Sequence, residues 1–181
     1  MRVEHEEELA EELSEGNALG FIARSRQPTN NGVVYGGVAV VWRHSMGLFK
    51  QVPVKNEEHY EVLIAAGSLK GHSRKLVVVA CYIPPGYSKQ RGQGALDHVE
   101  DVVIEMKRKY QDPFIVVTGD FNQWKINGSL SGFNDIKETK IGNTRGNRAI
   151  DRFFTNMSRS EVRGRSGYLG PPRNRRRGTK C

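Results

Sequence analysis

The sequence predicts an α+β domain from two patterns. Short runs rich in β-branched and aromatic residues recur along most of the chain, which is typical of strands. One long segment, Gln93 to Gln111, instead repeats its apolar residues at helical spacing, with charged residues between them. Strands dominate the chain and the one long helix comes late. This order indicates an α+β fold, in which strands and helices pack in separate layers.

The elements are predicted in order from these patterns and from the Gly, Pro and Asn residues that interrupt them. An acidic helix is predicted over Glu4–Glu15, a polar loop over Ser25–Val33, and a loop with at most one helical turn over Ser129–Lys140. The predicted strands are Leu19–Ala23, Gly37–Arg43, Leu48–Val54, Tyr60–Leu69, Lys75–Ile83, Pro113–Asp120 and Ala149–Thr155.

The stretch Gly119-Asp120-Phe121-Asn122 comes directly after one of these apolar strands. If the extended conformation continues, Asp120 and Asn122 point to the same face, because side chains alternate along a strand. A carboxylate can take a proton from water, and a carboxamide can donate hydrogen bonds to a phosphoryl oxygen. Asp and Asn are also ordinary turn residues after a strand, so the stretch alone leaves a purely structural role open.

A second strand also ends in a polar group. The run from Lys75 to Ile83 carries Tyr82 near its end and is stopped by Pro84-Pro85-Gly86. We expect the strands of Tyr82 and Asp120 to share one sheet, with the side chains of Tyr82, Asp120 and Asn122 at one edge. Taken alone, Tyr82 is better explained as a half-buried strand aromatic.

Four blocks occur in a fixed order along the chain. They are Tyr35–Arg43 with its Gly-Gly-Val-Ala stretch, Cys81–Gly86, Val117–Asn122, and Asn143–Asn156 with Thr-Arg-Gly and Ile-Asp. Together they resemble the endonuclease/exonuclease/phosphatase superfamily, and within it the apurinic-endonuclease-like domains of LINE-type (non-LTR) retrotransposons. The resemblance implies a DNase I-like, four-layer fold, which is a two-sheet β-sandwich flanked by helices.

The resemblance also implies roles for individual residues in Mg²⁺-dependent hydrolysis of DNA phosphodiester bonds. Asp120 matches the aspartate that orients or deprotonates the attacking water, and Asn122 and Tyr82 match residues that contact the phosphate. Asp151 matches an aspartate that orients a catalytic histidine; the alternative for Asp151 is a salt bridge to Arg145 or Arg148. Lys125 and Trp124 are expected either to face a nucleic-acid backbone or simply to cover a surface.

Other parts of the family pattern have no counterpart in this sequence. The early asparagine, the metal-binding glutamate and the terminal Ser-Asp-His are not found, and His44, His59, His72 and His98 have no ligand spacing. The chain is therefore expected to be an incomplete sandwich, truncated at both ends, with most Mg²⁺ ligands missing and catalysis impaired. The alternative is a catalytically dead retroelement fragment; a phosphatase is less favoured, because two of the blocks resemble retroelements.

Composition agrees with one domain and sets the expected compartment. The 181 residues contain no apolar run near the roughly 18 residues of a membrane span. Cys81 and Cys181 form neither a disulfide framework nor a zinc motif, so we expect an intracellular location, nuclear or cytoplasmic, and no membrane partner.

The positive charge is concentrated at the end of the chain. The formal net charge is +8, yet residues 159–180 hold eight Lys or Arg and one acid, Glu161. We therefore divide the chain into a domain at 1–158 and a basic tail at 159–181, expected to be disordered. The tail predicts weak, non-specific binding of DNA through phosphates. The alternatives are a solvated segment without a role, or a frameshifted reading of the family's acidic C-terminal segment.

Overall fold

The computed structural model of the chain describes residues 19–24, 37–55, 60–124, 136–138 and 150–158. The predicted helix Glu4–Glu15, the loop Ser25–Val33 and the tail 159–181 lie outside the described residues. The described part consists mainly of strands, with few helices among them, which confirms the α+β class.

The strands occur close to their predicted positions. In chain order they are β1 (Leu19–Arg24), β2 (Val38–Arg43), β3 (Phe49–Val52), β4 (Glu61–Ser68), β5 (Lys75–Tyr82), β6 (Phe114–Asp120), β7 (Lys137–Glu138) and β8 (Asp151–Thr155). A short 3₁₀ turn, His44–Met46, follows β2, and the helix α1 spans Lys89–Tyr110 between β5 and β6.

The strands form two sheets. One is the antiparallel pair β1-β2, and the other has the order β3-β4-β5-β6-β8-β7. Within the larger sheet β5 and β6 are parallel, and the helix between them makes the crossover that parallel neighbours require. The remaining neighbours in that sheet are antiparallel.

The larger sheet is covered on both faces. Alternate residues of β4, β5 and β6 pack with the apolar stripe of α1 in the main core, which includes Val62, Val79, Val103 and Val117. The opposite face packs against the small sheet, where Val38 contacts the cluster of Leu63 and Ala80. These layers confirm the predicted two-sheet, DNase I-like architecture. None of the described helices is long and apolar enough to cross a membrane.

Two boundaries differ from prediction. The helix begins at Lys89, four residues before the predicted start, because the Ser88 hydroxyl caps it by accepting from the Arg91 amide at 3.4 Å. Its first residues are polar and carry no apolar periodicity. Residues 137 and 138, expected in a loop, pair with β8 at the end of the sheet.

Candidate active site

The ends of three neighbouring strands bring together three of the predicted site residues. Tyr82 on β5 is the register partner of Asp120 on β6, and Asp120 is the register partner of Asp151 on β8. Neighbouring strands lie about 4.8 Å apart, and partnered side chains leave the sheet on the same face. Tyr82, Asp120 and Asp151 therefore form a row, each half-buried, at one end of the sheet.

A glycine allows the two central strands to approach at this end. Gly119 has φ +149°, and a Cβ atom there would overlap the carbonyl group of Cys81 on β5. Only a residue without a side chain fits both the backbone conformation and the space. Gly119 therefore fixes the close approach of β5 and β6 one residue before Asp120.

The extended conformation does not continue to Asn122 as expected. The strand ends at Asp120, and Asn122 adopts a left-handed conformation with φ +49°. Its backbone amide donates to Asp120 Oδ1 at 2.8 Å, which is an Asx turn. The carboxamide is thus brought next to the carboxylate by a turn rather than by strand alternation.

The side chain of Asn122 ties this turn to the loop after β5. Asn122 Nδ2 donates to the carbonyl of Ile83 at 2.9 Å, and the Ile83 amide donates to the carbonyl of Asp120 at 3.0 Å. A carboxamide nitrogen has two protons, so one of them is used inside the protein. The turn and the loop are therefore locked together by two hydrogen bonds.

The side chain of Phe121 packs the same turn onto the core. Its ring is fully buried and meets the ring of Phe154 edge-on, with centroids 6.0 Å apart. Its amide donates to the carbonyl of Ile150 at 2.9 Å. The residue between Asp120 and Asn122 therefore holds both polar residues against the core, and links their turn to the start of β8.

Two roles were predicted for Trp124, and its contacts agree with the one in which it covers a surface of the protein. Its ring lies against Gly92 of α1, where a Cβ atom would overlap the indole, and its Nε1 lies 3.5 Å from the Pro84 carbonyl. The ring is half-buried against the main core. Trp124 thus packs the end of β6 onto the helix. Lys125 lies outside the described residues.

The two roles predicted for Asp151, orienting a histidine or forming a salt bridge, both stay predictions. Arg145 and Arg148, its proposed salt-bridge partners, lie outside the described residues. The next residue, Arg152, pairs with Glu138 at 2.7 Å. Of the histidines, His72 packs against Phe114 and His98 lies against Tyr60, while His59 is outside the described residues.

Sequence reasoning missed one acidic residue at this edge. Glu61, the first residue of β4, is the register partner of Tyr82 and is only 3% exposed. The row of side chains therefore spans four strands, with Glu61 beside Tyr82. The available signal was an acid at the start of an otherwise apolar strand; it was missed because the segment Tyr60–Leu69 was interpreted only as a strand.

The charge of Asp120 also acts on Cys81. Burial raises the pKa of the Cys81 thiol well above its usual range, and the nearby Asp120 carboxylate raises that pKa further. Cys81 Sγ lies 3.5 Å from the Thr118 carbonyl, within reach of a weak hydrogen bond. The thiol is thus a neutral core group and not a nucleophile.

A family model described as the endonuclease/exonuclease/phosphatase family matches residues 3–173. The chain belongs to this family. The match spans nearly the whole sequence and includes each of the strands that carry the row of polar side chains.

Solved structures of other family members have the same fold. A family protein from Bacteroides thetaiotaomicron is 15% identical with a TM-score of 0.58, covering 82% of this chain and 64% of its own. The mannosyl-6-phosphatase of the same organism is 15% identical with a TM-score of 0.56, covering 82% and 66%. The human Nocturnin catalytic domain, solved with a bound sulfate anion, is 14% identical with a TM-score of 0.56, covering 85% and 66%.

The matched structures are longer than this chain. The chain spans slightly less than two thirds of the length of these structures. At such low identity the likeness shows the fold and not the reaction. Comparison with curated proteins gives no match.

Endonuclease/exonuclease/phosphatase proteins generally depend on a divalent metal, and the described residues fit one poorly. Carboxylate and carboxamide oxygens of the kind present at Asp120, Asn122 and Asp151 suit Mg²⁺. However, nowhere within 19–24, 37–55, 60–124, 136–138 and 150–158 do three acidic, His or Cys side chains group closely enough to hold a metal ion.

Proposed function

We propose that this edge is a hydrolytic site for phosphodiester bonds of DNA, in a domain of retrotransposon origin. One observation carries the proposal. Tyr82, Asp120 and Asp151 occupy partner positions on three adjacent strands, and Asn122 is tied directly to Asp120. Family membership supports the reaction class. The Gly-Gly-Val-Ala and Thr-Arg-Gly blocks support the retroelement origin.

In the proposed reaction Asp120 acts on the attacking water. A carboxylate can accept several hydrogen bonds, so it can hold the Asn122 amide and a water molecule together. As the water oxygen bonds to phosphorus, its proton passes to Asp120 and the ester P–O bond breaks. The departing oxygen takes a proton from solvent, and the products are a phosphomonoester and a hydroxyl group.

The phosphate oxygens are assigned to the two neighbouring polar groups. The Tyr82 hydroxyl and the remaining Nδ2 proton of Asn122 can both donate hydrogen bonds; Tyr82 is the register partner of Asp120, and Asn122 is tied to Asp120 through its amide. Donors held in place before the reaction stabilise the charge that develops on phosphoryl oxygens. The bond from Asn122 to the Ile83 carbonyl supplies that fixed orientation.

We extend the proposal to a Mg²⁺ requirement, because the family is generally metal-dependent. Catalysis by this chain is expected to be slow, because the family's metal-binding glutamate and Ser-Asp-His motif have no counterpart in the sequence. The steps assigned to Asp120, Asn122 and Tyr82 concern water and phosphate only.

A second candidate function is non-catalytic binding of nucleic acid. The excess of Lys and Arg in residues 159–180 favours it, because basic side chains bind phosphates without regard to sequence. This candidate requires no chemistry at Asp120 and is compatible with an intracellular location.

Nicking of supercoiled plasmid by the purified chain tests the proposal against this alternative. We expect slow nicking in Mg²⁺, barely above background, that disappears with EDTA. Complete absence of nicking at high protein concentration, with DNA binding retained, would favour the non-catalytic candidate. Rapid, EDTA-sensitive nicking would support hydrolysis and contradict the expected impairment.

A further inference from the structure

A second concave site lies on the other face of the large sheet, under the first turns of α1. It has a volume of about 500 Å³, within the usual range for small-molecule sites. The rings of Tyr60, Tyr87 and His98 line it. Tyr60 belongs to the core cluster on the helix side, whereas Tyr82 packs with the small sheet on the opposite side. The cavity is thus separate from the row that contains Asp120.

The aromatic rings that line the cavity are held in a fixed arrangement. The Tyr60 hydroxyl and His98 Nδ1 lie 2.7 Å apart, and the two rings meet edge-on with centroids 5.5 Å apart. Tyr60 is only 8% exposed, and Tyr87 packs against the same core. A flat ring that enters the cavity therefore meets rigid aromatic surfaces.

A glycine in the second turn of α1 keeps the cavity open. Glycine inside a helix costs about 1 kcal/mol relative to alanine, so such a residue needs an explanation. Gly92 has one, because the Trp124 ring occupies the space of its Cβ atom. Gly94 does not, because a Cβ atom there would meet no atom within 4 Å. Gly94 instead borders the cavity, and we attribute its absent side chain to the room that a ligand needs.

The charges around the cavity are mixed. Lys55 and Arg91 supply two cations to its lining, and Asp97 and Asp101 supply two carboxylates. A ligand that suits this lining has a flat ring, an anionic group for the cations, and N–H donors for the carboxylates. A nucleotide combines all three properties, since its base stacks on aromatic rings and its phosphate pairs with Lys or Arg.

We propose that the cavity bordered by Tyr60, Tyr87, Gly94 and His98 binds one nucleotide, with the base against the aromatic rings and the phosphate on Lys55 or Arg91. It lies at the same end of the sheet as Asp120, because Tyr60 precedes Glu61, the register partner of Tyr82. One loop connects the two places. Its residues Ile83 and Pro84 accept from the side chains that follow Asp120, and Tyr87 lines the cavity.

Titration of the full-length chain with deoxyadenosine monophosphate, followed by NMR, tests this site directly. We expect shifts at Tyr87, Gly94 and His98. Tyr87→Ala should weaken binding by about 5- to 150-fold, the effect of losing one base–aromatic stack. Gly94→Leu should weaken it by a similar factor, because the new side chain enters open space at the cavity wall.

Three controls make the result decisive. Tyr110→Ala removes the same side chain at the other end of α1, where it packs on the same core but lines a different cavity, so binding should persist. Asp120→Ala should also leave binding unchanged, which separates this site from the proposed hydrolytic site. Inorganic phosphate should compete only weakly.

Several results would overturn the proposal. One is no binding of the nucleotide at millimolar concentration. Another is binding that both Tyr87→Ala and Gly94→Leu leave intact. Full competition by inorganic phosphate would show that the base is not recognised.

Discussion

Tyr82 and Asp120 are register partners at the ends of two parallel strands. They are separated along the chain by α1, and only the crossover that this helix makes brings them side by side. The same pairing places Asp151 on the far side of Asp120 and Glu61 on the far side of Tyr82. The proposed hydrolytic site depends on this row.

The row requires glycine at position 119. We expect Gly119→Ala to lower the free energy of unfolding by at least about 1–3 kcal/mol, because alanine is strained at that φ and its Cβ atom overlaps the Cys81 carbonyl. Urea unfolding measures the change. Gly94→Ala is the matched control, and it should be neutral or stabilising by up to about 1 kcal/mol. Equal stability of Gly119→Ala and the wild type would contradict the described approach of β5 and β6.

The side chain of Asn122 has both a structural and a proposed catalytic role, which two substitutions separate. Asn122→Ala should destabilise the fold by about 1–3 kcal/mol, since it leaves the Ile83 carbonyl without its partner and keeps the left-handed backbone. Asn122→Gly should be less destabilising, because glycine accepts that conformation.

Any nicking activity should fall equally in both variants, because both lack the carboxamide. Thermal unfolding and plasmid nicking measure the two effects. Equal stability of the two variants would show that the left-handed backbone is not strained.

Burial of the Cys81 thiol predicts a loss of stability at alkaline pH. The folded state raises the pKa of this thiol, whereas an unfolded thiol ionises near a pKa of about 8.5. The buried thiol therefore contributes its full share to the free energy of unfolding below that pH. This share is lost as the pH rises above it, by about 1.4 kcal/mol per pH unit. The slope of unfolding free energy between pH 8.5 and about 10.5 should be smaller in Cys81→Ala. Identical slopes would contradict the burial of an un-ionised thiol.

Removal of residues 159–181 tests the origin of nucleic-acid affinity. We expect the truncated chain to lose binding to DNA, because the remaining residues carry little net charge. Binding of the full chain should fall with salt at a slope near ~0.9 per phosphate contacted. Titrations at several salt concentrations measure both. Comparable binding without the tail would instead indicate that the Asp120 edge is a substrate groove.

The strands and the helix could be predicted from the spacing of their apolar residues. Each strand buries residues on the faces of the sheet and the helix buries one stripe, so each type of element leaves its own pattern in the sequence. The start of α1 could not, because the Ser88 cap is followed by polar residues. The pairing of residues 137 and 138 with β8 depends on a distant strand and leaves almost no local pattern.

The candidate site was predictable only in part. Tyr82, Asp120 and Asp151 stand at strand ends, so sheet geometry brings them together. Asn122 was expected beside Asp120 for the wrong reason, since a turn and not an extended strand places it there. Glu61 was missed because its relation to Tyr82 arises from strand register, which a single sequence does not reveal.

The most direct measurement compares plasmid nicking in Mg²⁺ by the wild type, Asp120→Ala and Asp112→Ala. Asp112 is an exposed acid bound to Arg74 at 2.9 Å and serves as the matched control, so its substitution should leave the slow activity unchanged. Asp120→Ala should reduce that activity to background, because the water loses its proton acceptor. Nicking by Asp120→Ala at the wild-type rate would contradict the assignment of this edge as the hydrolytic site.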